Sequence, residues 1–190
     1  MERFAVNPKQ IPSLRHCILY SKQTTTHVDI LVVGGIAMAL YGLPRYTNDL
    51  DAEVVSGEHL EALQKFLEKN GILANLSENI SGWGIVPLPG DYRAKSKTLY
   101  SDGKITIRTL DPVDFVISKL RRGTDEDLED IEHVVKRFKL SPADVERRCM
   151  EIEWRKDQET LFFKKRLEAF LRRASSNEVR GAEDQSHDRG

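Results

Sequence analysis

From His27 to Gly35 the chain reads HVDILVVGG, an apolar run broken only by Asp29 and closed by two glycines. Such a run predicts a strand buried on both faces, in the middle of a sheet. IAMALYG follows as a short helix that Gly42 stops, and Pro44 turns LPRYTN into a loop. DLDAEVV then alternates as a second strand, so Asp49, Asp51 and Glu53 share one face. In GEHLEALQKFLEKNG, Leu60, Leu63 and Leu67 recur at helical spacing up to Asn70-Gly71, which predicts an amphipathic helix. Upstream, HCILYSKQ predicts a short helix packed on the same body.

Between Ile72 and Leu110 the pattern changes to glycines, prolines and strand formers. ILANLSE, GWGIVPLPGDY and KTLYSDGKITIRTL predict two to four antiparallel strands, with SDGK as a hairpin turn. From Asp111 onward helices take over. Asp111 and Pro112 suit the cap and first position of DPVDFVISKLRRG. Thr124 with Asp127 forms a capping-box pattern ahead of a stripe of Leu128, Ile131, Val134 or Val135, and Phe138. Ser141, Pro142 and Asp144 repeat the device, and a last helix carries Leu161, Phe162, Leu167, Phe170 and Leu171. The fold class is therefore α/β (α+β): a mixed sheet flanked by helices over residues 1–110, then a helical part over 111–173. Residues 174–190 carry almost nothing apolar and are expected to form a disordered tail.

Composition narrows the function classes. With 190 residues the chain can bury a real core, and its formal net charge of −1 announces neither a nucleic-acid coat nor a membrane-surface binder. Cys17 and Cys149 are far apart, with no Cys/His cluster, which argues against a zinc site and a disulfide scaffold. No apolar run approaches the roughly 20 residues of a membrane helix, and no stretch resembles a signal peptide. A reducing cytoplasm is the expectation.

The chemistry concentrates in VVGGIAMALYGLPRYTNDLDAEVV. Two carboxylates on one strand face repel each other unless something compensates. A divalent cation carrying a polyphosphate would do so: Asp49 and Asp51 are hard oxygen ligands for Mg²⁺, or Mn²⁺, which fills its remaining positions with water and phosphate. Gly34 and Gly35 allow the backbone to approach the phosphates, beside the free N–H groups of a helix N-terminus.

Hydrophobic-Gly-Gly followed by DLDA resembles the signature of the minimal nucleotidyltransferase (DNA polymerase β-like) superfamily. The longer stretch, with DPVDFVISKLRRGTDEDLEDIEHVV downstream, is similar to bacterial nucleotidyltransferase-like domains related to abortive-infection toxins. The resemblance covers residues 28–150. It implies a nucleotidyltransferase-like fold, with Gly34 and Gly35 at the phosphates, Asp49 and Asp51 at the metal, and Arg45 and Thr47 on the approach to the acids. Lys119 resembles the family lysine that reaches the nucleotide. An NTP is then the substrate, with tRNA or another RNA, a protein side chain or a small molecule as acceptor, and an antitoxin protein as a partner.

One departure stands out. The superfamily takes a third carboxylate from a later strand, but WGIVPL and ITIRTL hold none. Asp91 is the nearest substitute, and Glu53 shares the face of the pair. Without a third acid the acceptor hydroxyl lacks a general base, so a degenerate member that binds nucleotide or a protein without turnover is the alternative. Basic helices bearing KKR and LRR offer a third reading, an RNA-binding module. Plainer readings accompany each residue. The two aspartates can cap backbone groups, Lys119 can be a solvated helix residue, and Asp127 and Asp130 can be either metal ligands or ordinary first-turn acids. His27, His59 and His133 suit surface or packing roles. Trp83 and Tyr92 can pack in a core or stack a base, and Arg93 beside Tyr92 lies near the same cleft.

Overall fold

The computed structural model describes residues 6–43, 47, 49–84 and 86–187, with the backbone alone over 175–187. The chain divides into two compact units: Met1–Trp83 with Asp91–Asp111, and Gly84–Gly90 with Pro112–Gly190.

The first unit is built on a five-stranded mixed sheet. Its strands are β1 (Val28–Val33), β2 (Leu50–Val54), β3 (Ala74–Ser77), β4 (Lys97–Ser101) and β5 (Ile105–Thr109), in the order β3-β2-β1-β5-β4. The apolar run does become the central strand. β1 pairs antiparallel with β2 and parallel with β5, Val28 lying beside Ile105 and Val33 beside Asp51. β4 and β5 form the expected hairpin, with Gly103 in its turn at φ +81°. β3 departs from the antiparallel expectation, because it lies parallel to β2.

The described residues of GWGIVPL do not form the expected strand. Ile80–Trp83 is a 3₁₀ turn, and the described residues from Gly84 to Gly90 are irregular. Pro87 and Pro89 remove two ladder donors within three residues, which outweighs the apolar side chains.

One sheet face makes the core. Val28, Ile30 and Val32 of β1, Leu50, Ala52 and Val54 of β2, and Ile105 and Ile107 of β5 are all buried there. Leu14, Cys17 and Ile18 of α1 (Pro12–Ser21) and Leu63 and Leu67 of α3 (Leu60–Lys69) belong to the same cluster, as do Ile36 and Leu40 of α2 (Gly34–Leu40). Each buried Val, Leu or Ile side chain there contributes about 1.5–3 kcal/mol relative to exposure. Burial also pushes the Cys17 thiol up to about 12, the mark of an inert packing cysteine. A one-turn helix, α4 (Tyr92–Lys95), precedes β4.

The second unit is helical: α5 (Pro112–Arg122), α6 (Asp125–Phe138), α7 (Pro142–Cys149) and α8 (Gln158–His187). Both predicted capping boxes form, Thr124 with Asp127 and Ser141 with Asp144. Lys139 adopts φ +52° to end α6, its N–H donating to the Val135 carbonyl. Arg148 on α7 grips buried Asp114 on α5 through two bonds of 2.7 and 2.8 Å. Among the described residues of α8 the buried apolar positions are Phe163 and Leu167, with Phe163 5.6 Å from the ring of Trp154, whereas Leu161 and Phe162 are exposed. The apolar stripe therefore runs through Phe163 and not Phe162. The α8 backbone continues to His187, across the segment expected to be a tail. Among the described residues, no helix is long and apolar enough to cross a membrane.

Candidate functional site

β1 ends at Val33 and α2 starts at once at Gly34, whose φ is +64°. Because Val33 lies opposite Asp51, the strand-to-helix turn is set directly against the Asp51 carboxylate. A Cβ on Gly34 would collide with Asp51 Oδ2. Glycine is needed here twice, for its left-handed backbone and for the space it leaves to the acid. On the other side, Asn75 of β3 stands in register with Asp51 and donates from Nδ2 to Asp51 Oδ1 at 3.4 Å. Asp49 stands one residue before β2; it is exposed, and its N–H donates to Thr47 Oγ1 at 3.3 Å. Gly35 sits in the first turn of α2, where backbone N–H groups have no acceptor within the helix. Arg45 lies outside the described residues.

The donor set suits a hard divalent ion. Asp51 sets a carboxylate oxygen against the Gly34 backbone, and the ligand atoms offered by Asp49 and Asp51 are oxygens. Among the described residues, no three His, Cys, Asp or Glu side chains gather into a metal cage. A cation held by Asp49 and Asp51 would therefore complete its shell with water and substrate oxygens.

Glu53, two residues further along the same face, has a different environment. Its carboxylate is fully buried, yet it is well satisfied. Oε2 accepts from the Ile80 N–H at 2.9 Å and from the Tyr92 hydroxyl at 2.5 Å, while Oε1 accepts from Arg93 Nε. Burial, reinforced by the bond to Glu53, pushes the Tyr92 phenol well above its ordinary range. Tyr92 is thus a buried brace, whereas Trp83 is exposed. Asp91 is exposed just before α4, with Lys95 Nζ 3.3 Å from its Oδ2.

Lys119 belongs to the second unit. It is buried, its ammonium 3.1 Å from Asp127 Oδ1 and 2.6 Å from Asp130 Oδ2. Arg122 adds bonds to both Asp127 oxygens, and Thr124 donates to one. Burial alone would raise the Asp127 carboxyl, but Arg122, Lys119 and Thr124 outweigh it and hold it at about 2. Asp127 and Asp130 therefore share an ammonium rather than standing open. Two of the histidines bond within the fold: His59 is buried between Tyr20 and Thr26, and His27 meets the Gly103 carbonyl and Thr106.

Two features escape the sequence. Nothing marks Asn75 as a neighbour of Asp51, since β3 reads as an ordinary short strand. The mounting of Arg93 on Glu53 joins residues 40 positions apart; its signal is the alternation that places Glu53 beside Asp51. Comparison with family models matches residues 14–162 to a family described as nucleotidyltransferase of unknown function (DUF6036). No curated protein and no solved structure matches the chain.

Proposed function

The chain belongs to the nucleotidyltransferases of unknown function (DUF6036), and on that premise we propose that it moves a nucleoside monophosphate from an NTP to a hydroxyl acceptor. The single observation that supports this most is the seating of the Asp51 carboxylate against Gly34, at the junction of a central strand and a helix.

In this reading Asp49 and Asp51 hold Mg²⁺ or Mn²⁺, and Gly34 and Gly35 present backbone N–H groups to the phosphates, with Thr47 and Arg45 at the approach. When bound, the cation would neutralise phosphate charge and favour the ionised acceptor oxygen. That oxygen bonds to the α-phosphorus as the bond to the β-phosphate oxygen breaks, releasing pyrophosphate. Asp91 is the acid proposed to take the hydroxyl proton. Lys119 enters this reading through the family resemblance alone; its ammonium bonds to Asp127 and Asp130.

The test is incubation with labelled NTPs, Mg²⁺ and a panel of acceptors, starting with bulk tRNA. Label should move to an acceptor, and Asp49→Ala with Asp51→Ala should abolish transfer. NTP-dependent thermal stabilisation with no transfer to any acceptor would instead identify a member that binds without turnover. RNA as acceptor and a toxin role paired with an antitoxin in the cytoplasm are further parts of the proposal. Growth arrest on expression, lost with Asp51→Ala, tests the toxin role.

A further inference from the structure

The face of β2 and β3 that carries Asp51 and Asn75 continues to Glu53 and Ser77. Arg93 reaches this face from α4. Its Nε donates to Glu53 Oε1, and one Nη2 hydrogen goes to the Glu78 carbonyl at 3.0 Å. Those bonds use two of the five N–H donors that a guanidinium carries. The side chain remains 46% exposed, while its Glu53 partner is fully buried. The mount is rigid, because Tyr92 and the Ile80 N–H hold the same carboxylate and the Tyr92 ring lies 5.1 Å from the guanidinium carbon. A fixed, permanently charged fork therefore faces outward with donors unspent.

Charge balance on this face calls for such a group. Asp49 and Asp51 would receive a substrate that is itself polyanionic, and a divalent cation offsets only part of the total. Among the described residues, the strand cation on the same face is Arg108. It is committed to Asp29 through Nε at 3.1 Å and Nη2 at 2.9 Å. Arg93 is placed differently. Its mount, Glu53, lies one side-chain repeat from Asp51 on the same face, about 7 Å along the strand.

We propose that Arg93 binds the triphosphate, its outer N–H groups holding a non-bridging oxygen of the β- or γ-phosphate and then of the departing pyrophosphate, while Glu53 fixes the guanidinium. This rests on the nucleotidyltransferase reading and adds a residue to its substrate site.

The test compares Mg²⁺·NTP with the corresponding NMP by calorimetry, on the full chain. Arg93→Met keeps the stem and removes the fork. It should shrink the preference for NTP over NMP about tenfold, or about 1.4 kcal/mol, and weaken inorganic triphosphate equally. Tyr92→Phe loosens the mount but spares the fork, so its preference should stay within twofold of the wild type. Arg93→Lys keeps the charge on Glu53 without the fork and should lose about fivefold, which supplies the answer if Arg93→Met does not fold. Equal weakening of NTP and NMP, an unchanged preference, or a loss in Tyr92→Phe matching that of Arg93→Met would overturn the inference and leave the family reading intact. A wild-type protein that binds no NTP would overturn both.

Discussion

Asp49 and Asp51 in the first unit, and Asp127 and Asp130 in the second, are closely spaced acid pairs with opposite surroundings. Asp51 lies against the Gly34 backbone and the Asn75 amide, and Asp49 is exposed. Asp127 and Asp130 are buried around the Lys119 ammonium, with Arg122 completing the charge balance. In the second unit the protein supplies the cations itself. In the first, Asp51 is set against the Gly34 backbone and the Asn75 amide, and the proposed function has the cation arrive with substrate. Spacing alone does not separate an acid pair proposed to receive a cation from one that already has it. The identity of the residue wedged against the carboxylate does.

The sharpest way to break this comparison is to remove the first pair. Asp49→Ala with Asp51→Ala should lower transfer by at least about 10³-fold, roughly 4 kcal/mol, with the far-ultraviolet circular dichroism spectrum preserved. Lys119→Met should also act on stability. It strands two buried carboxylates, and the denaturant midpoint should reveal a loss of about 3 kcal/mol. Gly34→Ala lies between the two classes, since it strains a left-handed position and pushes Asp51 aside. A loss of about 2 kcal/mol in stability, together with weaker Mn²⁺ binding by electron paramagnetic resonance, is expected. If Mn²⁺ binding were undiminished, the close approach of Gly34 would have no bearing on metal affinity. Thr124→Ala removes a cap from α6 and should cost about 1 kcal/mol by thermal melting.

The smallest effect at neutral pH is an acid-range signature of the second pair. The Asp127 carboxyl is depressed to about 2 in the folded protein, against about 3.9 in an unfolded chain. The group therefore contributes stability above about pH 4, and the contribution is lost as pH falls towards 2. Asp127→Asn should flatten that part of the stability profile, as read from denaturant midpoints at successive pH values.

Much of this contrast is legible in the amino-acid sequence. The run HVDILVVGG specifies a central strand, and β2 alternates as its spacing requires, because one-sided burial leaves the register little freedom. Both capping boxes form because the bonds involved are local. Legibility fails where the deciding partner is remote. GWGIVPL looks like a strand by its apolar side chains, but Pro87 and the following Pro89 withdraw ladder donors. Phe162 and Phe163 are adjacent aromatics, and composition cannot choose which one a helix turns inward; Trp154 resolves it for Phe163. At the candidate site the Gly-Gly and Asp-x-Asp pattern locates the elements, whereas Asn75 and the Glu53–Arg93 mount depend on strand pairing and a distant helix.

The parallel pairing of β1 with β5 also bears on how the chain reaches its native form. The Thr109 hydroxyl donates to the Val32 carbonyl across 77 positions of sequence, so the middle strand stays open on that side until almost all of the first unit has left the ribosome. A closure this distant carries a loop-entropy cost that local helices avoid. Folding of the sheet should therefore lag behind helix formation. A nascent chain halted before Ile105 would expose the edge of β1, giving chaperones a place to bind and self-association a place to begin.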